Sequence, residues 1–355
     1  MLNILDDLSH LTSTDRSNMA SILRKMPENL IEAVQSFKSP STRRVSRGKP
    51  LNVIIAGVGG SSIGGDVVSN WLSEDTTVPI LVNRGLSLPR FADENTLVIA
   101  ISYSGETSET LGQFDEARRR HCILHSIASA GRLRTISNEN GVPVAALTPG
   151  VPPRTAFPQI IVATACVLQE YGIIDNLEDV YSAGEGLKKV RDELDVSRDT
   201  EQNPAKRMAL RLVGKFPIIY SLERMNSAAR RLKNQLNENS KTPSKFDSIP
   251  EICHNEVESW PELVSEPWRS RASFIFIRDD NEDEREIRIV EGTLSFLRDL
   301  GVEDLLEIKG GGPNRLAKLL SAIYLGDYVS FYLAIARGID PTPIVEITKL
   351  KKTLS

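Results

Sequence analysis

Short apolar runs rich in β-branched residues recur along the chain, and most lead through a turn into a segment of helical period. In the first half these runs are Leu51–Ala56, Val78–Val82, Leu97–Ile101, Cys122–Ala128 and Val142–Leu147. In the second half they are Phe216–Tyr220, Ser273–Ile277 and Leu305–Ile308. Most are continuous rather than alternating, which predicts strands buried on both faces of a parallel sheet, with helices on either side. Helices are expected from the glycine turn to about Leu72, over Leu111–Arg120, Gln159–Gly172, Asn176–Arg198, Ala205–Val213 and Arg224–Glu238. Two more are expected over Glu284–Leu300 and Asn314–Ala336. Before the first strand, Leu2–Phe37 reads as short amphipathic helices broken near Thr12–Asp15 and at Pro27, followed by a basic surface connector over Lys38–Lys49. Asp199–Pro204 looks like a join, after which the rhythm restarts. The expected architecture is therefore α/β, with two three-layer domains at 1–198 and 199–355. Each would hold a mainly parallel sheet flanked by helices.

The stretch Thr96–Thr110 changes polarity abruptly, from Leu97-Val-Ile-Ala-Ile101 to Ser102-Tyr-Ser-Gly-Glu-Thr107. A helix starting there presents unpaired N–H groups and positive dipole at the end of a buried strand, where an anion fits. Hydroxyls of Ser102, Ser104 and Thr107 would add neutral donors. The loop holds no Lys or Arg, so the expected anion is a phosphate monoester held by hydrogen bonds. A second turn, Gly57-Val-Gly59-Gly60-Ser61-Ser62-Ile-Gly-Gly65-Asp66, follows the first strand, and glycine there lets backbone and ligand approach closely. A dinucleotide fingerprint fails on two counts: Ser62 stands where the third glycine belongs, and the next strand ends in Asn83-Arg84 rather than an acid for a ribose. The Pro-rich turn Pro149–Pro158 holds Arg154 stiffly at a helix entrance, as suits a positioned cation or a surface ion pair.

Composition narrows the function classes. With 43 Lys+Arg against 47 Asp+Glu there is no footprint for nucleic acid or an anionic membrane. Three widely spaced cysteines argue against a disulfide framework, no apolar run is expected to approach membrane-spanning length, and a reducing cytoplasm is the expected compartment. His121 and His125 fall on one strand face with no third ligand nearby, and His10 reads as a surface histidine on the first helix. No metal or other cofactor is expected.

The loop S-x-S-G-x-T-x-E-T resembles the phosphosugar-binding loop of the sugar isomerase (SIS) domain family. Taken with GVGGSSIGGD, PPRTAFP, the carboxylate Glu238 in QLNENSK, the loop EICHNE and the terminal DPTPIVEITKLKKTL, the chain resembles the dual-specificity phosphoglucose/phosphomannose isomerases, a tandem-SIS family. The resemblance runs from about Val53 to Leu354. It implies that Ser102, Ser104 and Thr107 bind the phosphate of a hexose 6-phosphate and that Gly59, Gly60 and Ser61 flank the sugar. It further implies Glu238 as the base between C1 and C2, Arg154 as the cation for the enediolate, His254 in ring opening and Lys351 near the ring oxygen. In that family the histidine loop comes from the partner chain, so a homodimer is implied. Ser62 and Leu86 depart from the family pattern.

Aldose–ketose isomerisation needs such groups: one carboxylate for both carbons, a cation for the developing oxyanion and an acid/base pair for the hemiacetal. Both epimers share a cis-enediol, and a hydroxyl such as that of Thr342 could set rotation about C2–C3. Two alternatives stay open on sequence. One is another SIS sugar-phosphate isomerase; the other is a non-catalytic phosphosugar-sensing regulator, which would keep the hydroxyl loop without needing Glu238 or His254.

Overall fold

The computed structural model describes residues 4–37 and 48–354; the expected basic connector, over 38–47, lies outside the described residues. Nine strands are described: β1 Asn52–Ala56, β2 Ile80–Asn83, β3 Thr96–Ile101, β4 Ile123–Ala128, β5 Val144–Ala146, β6 Phe216–Leu222, β7 Lys245–Ile249, β8 Ala272–Asp279 and β9 Leu305–Gly310. The helices up to the middle of the chain are α1 Leu8–Thr14, α2 Met19–Arg24, α3 Met26–Phe37, α4 Gly60–Leu72, α5 Ser108–Arg119, α6 Gly131–Glu139 and α7 Phe157–Glu170. The remainder are α8 Glu178–Leu194, α9 Pro204–Arg211, α10 Asn226–Glu238, α11 Trp260–Leu263, α12 Glu284–Asp299, α13 Arg315–Ala336 and α14 Val345–Leu354. Pro27 sits in the first turn of α3, where its missing N–H costs nothing, so the break falls at Lys25 and not at the proline.

Contacts divide the chain into two compact units. One holds residues 26–185 with 314–316; the other holds residues up to Lys25 together with 186–313 and 317–355. The first unit is built on a sheet of order β2-β1-β3-β4-β5 in which every pairing is parallel. β3 is buried along its whole length, as the unbroken apolar run Leu97–Ile101 requires. One face of the sheet, through Ile54, Val98 and Leu124, packs on Leu111 and Phe114 of α5 and on Leu133 of α6. On the other face, α4 lies so close that a Cβ on Gly65 would stand 2.7 Å from Ile55, and one on Gly64 2.6 Å from Ile160 of α7. Gly64 and Gly65 are thus packing glycines and are not ligand-facing ones.

The second unit has the all-parallel order β7-β6-β8-β9. This repeats the order β2-β1-β3-β4 of the first sheet without a fifth strand. Ile218, Tyr220, Phe274 and Phe276 pack on Trp260 and on Val290, Leu294 and Leu297 of α12. Helix α10 is tied to α13 by a buried Arg231–Asp327 pair at 2.7 Å. Helix α13 corrects the expectation that no segment reaches membrane-spanning length, since its 22 residues are long and apolar enough; 89% of its most apolar window is buried, as in a core helix. The N-terminal helices belong here: Asp6 accepts from Lys206 Nζ at 3.0 Å, Tyr324 OH donates to the Leu23 carbonyl at 2.8 Å, and His10 Nε2 lies 3.0 Å from the Ile335 carbonyl. His10 is accordingly a half-buried packing residue and not a surface one.

Candidate active site

In the first sheet, chain order reverses between β1 and β3, so the crevice beyond their carboxyl ends is the topological switch point where ligands of open α/β sheets bind. Two helices start there. Among the described residues, neither Gly59 before α4 nor Thr107 before α5 caps its helix with a side-chain hydrogen bond. Gly59 has φ +58°, which turns the chain sharply into α4. A Cβ on Gly57 would stand 2.9 Å from the Ile101 carbonyl, so the ends of β1 and β3 close on each other only through glycine.

The hydroxyl loop after β3 is tied internally and to its neighbours. Ser102 Oγ lies 2.9 Å from Thr107 Oγ1 and accepts from the Gly105 N–H at 3.1 Å. Ser104 is exposed, and its Oγ accepts from the Glu106 N–H at 3.3 Å. Ser61, at the start of α4, accepts from the Tyr103 N–H at 3.2 Å, which joins the glycine turn to the hydroxyl loop. Gly105 has φ +74°, and a Cβ there would fall 1.9 Å from the Ala130 carbonyl. Glu106 accepts from the Arg132 N–H at 2.8 Å, pinning the same loop to the start of α6.

Arg154 occupies a single 3-10 turn, Pro153–Thr155, just before α7, and is 4% exposed. A Cβ on Gly60 would lie 3.1 Å from the Arg154 nitrogen and from the Pro153 carbonyl carbon. The absence of a side chain at Gly60 is what lets the arginine turn press against the glycine turn. Gly59, Gly60, Ser61, Ser102, Thr107 and Arg154 therefore converge, with Ser104 on the exposed rim.

In the second unit Glu238 ends α10, and Lys241 Nζ donates to its carbonyl and, at 2.8 Å, to that of Pro343. Glu238 lines a cavity of about 1020 Å³ together with Asn234, Lys241, Asp340, Pro343 and Val345. Thr342 stands in the turn forming one wall, its N–H donating to Asp340 Oδ1 at 3.0 Å. His254 is exposed on a 3-10 turn, Glu251–His254, and Lys351 is exposed on α14; neither lines that cavity. The turn that follows, Glu256–Ser259, is anchored from below. Glu256 accepts from Tyr220 OH at 2.5 Å, and Trp260 Nε1 donates to the Tyr220 hydroxyl oxygen at 3.1 Å. Burial, with the Glu256 carboxylate beside it, pushes the Tyr220 hydroxyl well above its usual range, so it stays a neutral donor.

The family described as the bacterial phospho-glucose isomerase C-terminal SIS domain matches residues 201–354. A bifunctional phosphoglucose/phosphomannose isomerase of Caldicellulosiruptor bescii is 32% identical, over 93% of this chain and 97% of its own length. The chain belongs to the bifunctional phosphoglucose/phosphomannose isomerase family. A member from Aquifex aeolicus is 35% identical over 85% of this chain and 90% of its own. In fold, the chain is similar to the tagatose-6-phosphate ketose/aldose isomerase of Escherichia coli, with a TM-score of 0.67 at 14% identity over 92% of this chain and 95% of that one.

Within this family member the departures have definite places. Ser62 is buried and donates to the Gly59 carbonyl at 3.0 Å, closing the glycine turn on itself; Leu86 is 80% exposed. The second sheet carries acids where the first carries the hydroxyl loop. Its counterpart of the β3–α5 loop is Asp279-Asp-Asn-Glu-Asp283, and Asp283 caps α12 by accepting from the N–H groups of Arg285 and Glu286. A carboxylate already fills the place where an anion would sit, and its neighbours repel another. Sequence reasoning placed His121 and His125 on one strand face. His121 in fact precedes β4 at φ +58° and is exposed, while His125 is buried inside the strand. Tyr103 was passed over as a site residue, although a large aromatic set between two serines was a visible signal. Among the described residues no cluster of three or more His, Cys, Asp or Glu side chains is placed to hold a metal ion.

Proposed function

We propose that the chain interconverts glucose 6-phosphate and mannose 6-phosphate with fructose 6-phosphate at one site, through a cis-enediol. Membership of the family makes it a phosphosugar isomerase. The observation that carries the reading is the convergence at the β1/β3 switch point of two uncapped helix starts, the hydroxyl loop and the Arg154 turn. The N–H groups of α5 with Ser102, Ser104 and Thr107 take the phosphate dianion, whose remote binding energy orients the sugar. Gly59, Gly60 and Ser61 border the sugar, and Arg154 stabilises the charge that develops on the enediolate oxygens.

Glu238 is the base that moves the proton between C1 and C2. His254, contributed by the partner chain of a homodimer, opens the ring with Lys351 near the ring oxygen, and Thr342 sets rotation about C2–C3. The two tandem halves divide this labour, the one built on the first sheet anchoring phosphate and the one built on the second supplying Glu238, His254 and Lys351. The repeated strand order supports that division. We place the enzyme in the cytoplasm.

The test is Glu238→Gln assayed with both aldoses in deuterated water. Both activities should fall by about 10²–10⁴-fold, the range for loss of a general base, while KM changes little. Loss of one activity with the other intact would mean two different bases and would end the single-site reading.

A further inference from the structure

We propose that Tyr103 is a positioning residue for the reaction, holding the Arg154 turn in register with the phosphate loop through its phenol hydroxyl. The proposal rests on the reading of Arg154 given above. Tyr103 lies between the two serines of the hydroxyl loop and is 7% exposed. Its backbone is committed at both ends: the N–H donates to Ser61 Oγ at 3.2 Å, and the carbonyl accepts from Ser129 Oγ at 2.5 Å and from the Ser129 N–H at 3.1 Å. The ring is therefore fixed relative to the glycine turn and to the end of β4. Its hydroxyl then reaches a third segment, donating to the Thr148 carbonyl at 3.2 Å and accepting from the Val151 N–H at 3.1 Å.

Those two contacts bridge the ends of the turn Thr148–Val151, whose middle residues Pro149 and Gly150 are exposed. A further tie on that turn is the Thr148 N–H, donating to Gln159 Oε1 at 2.8 Å. From Val151 the chain runs through Pro152 and Pro153 directly to Arg154. Two consecutive prolines fix φ at each step, so the orientation set at Val151 is carried stiffly to Arg154. The phenol thus couples the loop proposed to hold the phosphate to the arginine proposed to meet the enediolate. The backbone contacts of Tyr103 do not depend on its hydroxyl, and a phenylalanine keeps them while releasing the turn.

The experiment is Tyr103→Phe, with Arg154→Ala and the double variant alongside, assayed with glucose 6-phosphate and fructose 6-phosphate. Misplacing one catalytic group by about 1 Å costs up to ~10²-fold, so kcat of Tyr103→Phe should fall about 10–100-fold, with KM within about twofold of wild type. In the Arg154→Ala background the same change should have almost no further effect on kcat, because the group it positions is gone. Gln159→Ala releases the same turn at Thr148 and should lower kcat in the same sense, so the reading stands on that variant if Tyr103→Phe folds poorly. Full kcat in Tyr103→Phe, a rise in KM alone, or multiplicative losses in the double variant would each overturn the proposal. Full kcat in Arg154→Ala would instead overturn the reading of Arg154, and the positioning role would fall with it.

Discussion

His125 makes the stability of the first unit depend on pH in a calculable way. It lies in the buried strand β4 at 4% exposure, its Nδ1 has no hydrogen-bond partner among the described residues, and Glu170 Oε2 stands 3.9 Å away. The edge of its ring meets Tyr171. Burial pushes its pKa from the ordinary 6.5 down to about 4, because the surroundings cannot solvate an imidazolium. The folded-state value is depressed, so the unfolded chain takes up the proton first. Stability is fully present above pH 6.5 and is lost as pH falls toward 4. At about 1.36 kcal/mol per pH unit, the span from 6.5 to 4 amounts to roughly 3 kcal/mol.

The perturbation is His125→Leu, which fills a similar volume and cannot charge. Burial pushes the Glu170 carboxyl up, which acts on acid stability in the opposite sense. The quantity to read is therefore the difference between variant and wild type at each pH, from urea unfolding at pH 7.5, 6 and 4.5. Between pH 7.5 and 4.5 that difference should shift by about 2.5 kcal/mol in favour of the variant. A pH-independent difference would mean that His125 titrates alike in both states. A shift toward wild type on acidification would mean that Glu170 holds His125 as an ion pair, and in either case the burial argument fails.

Three further outcomes are expected. Gly105→Ala should abolish activity and lower the melting temperature sharply, since its Cβ would meet the Ala130 carbonyl at 1.9 Å at a φ of +74°; a stable, active variant would show that the loop can rearrange. Ser104→Ala and Thr107→Ala should each raise KM for hexose 6-phosphates about 10–100-fold, from donors to a dianion worth roughly 1.5–3 kcal/mol apiece, and unchanged KM in both would move the phosphate elsewhere. Mixed Glu238→Gln and His254→Ala chains should regain about one-quarter of wild-type activity after subunit exchange, the share of intact sites in randomly paired dimers; no recovery would mean that each chain completes its own site.

How much was legible in the sequence varies with how local the cause is. The β3 loop and α5 were readable because the apolar run Leu97–Ile101 gives way within one residue to hydroxyls, a purely local change of polarity. The abutment of Gly60 on the Arg154 turn was not, because it joins positions far apart in the chain and depends on the placement of α4 and α7. Gly64 and Gly65 read as part of a ligand turn because glycine signals only close approach and not what approaches. Strand β7 was missed since Lys-Phe-Asp-Ser-Ile at a sheet edge is half polar and half buried. Helix α6 escaped because only Leu133 and Ser137 of its nine residues are buried, too few to imprint a period. His10 looked superficial because its partner, the Ile335 carbonyl, lies at the far end of the chain.

That last contact has a bearing on biosynthesis. Helices α1 and α2, with Asp6 just ahead of them, are anchored by Lys206, Tyr324 and Ile335, all made long after them. At ~5–20 residues per second, a ribosome takes roughly 15–60 s to travel from Lys25 to Ile335. During that interval nearly all of the first unit, residues 26–185, has left the ribosome and has its own sheet to form, while the segment preceding it waits with its apolar face uncovered. Chaperones that bind nascent chains would therefore meet α1 and α2 before the first unit and release them after it. Damage to these two helices would be felt in the half of the enzyme that carries Glu238, and not in the half that follows them directly in the chain.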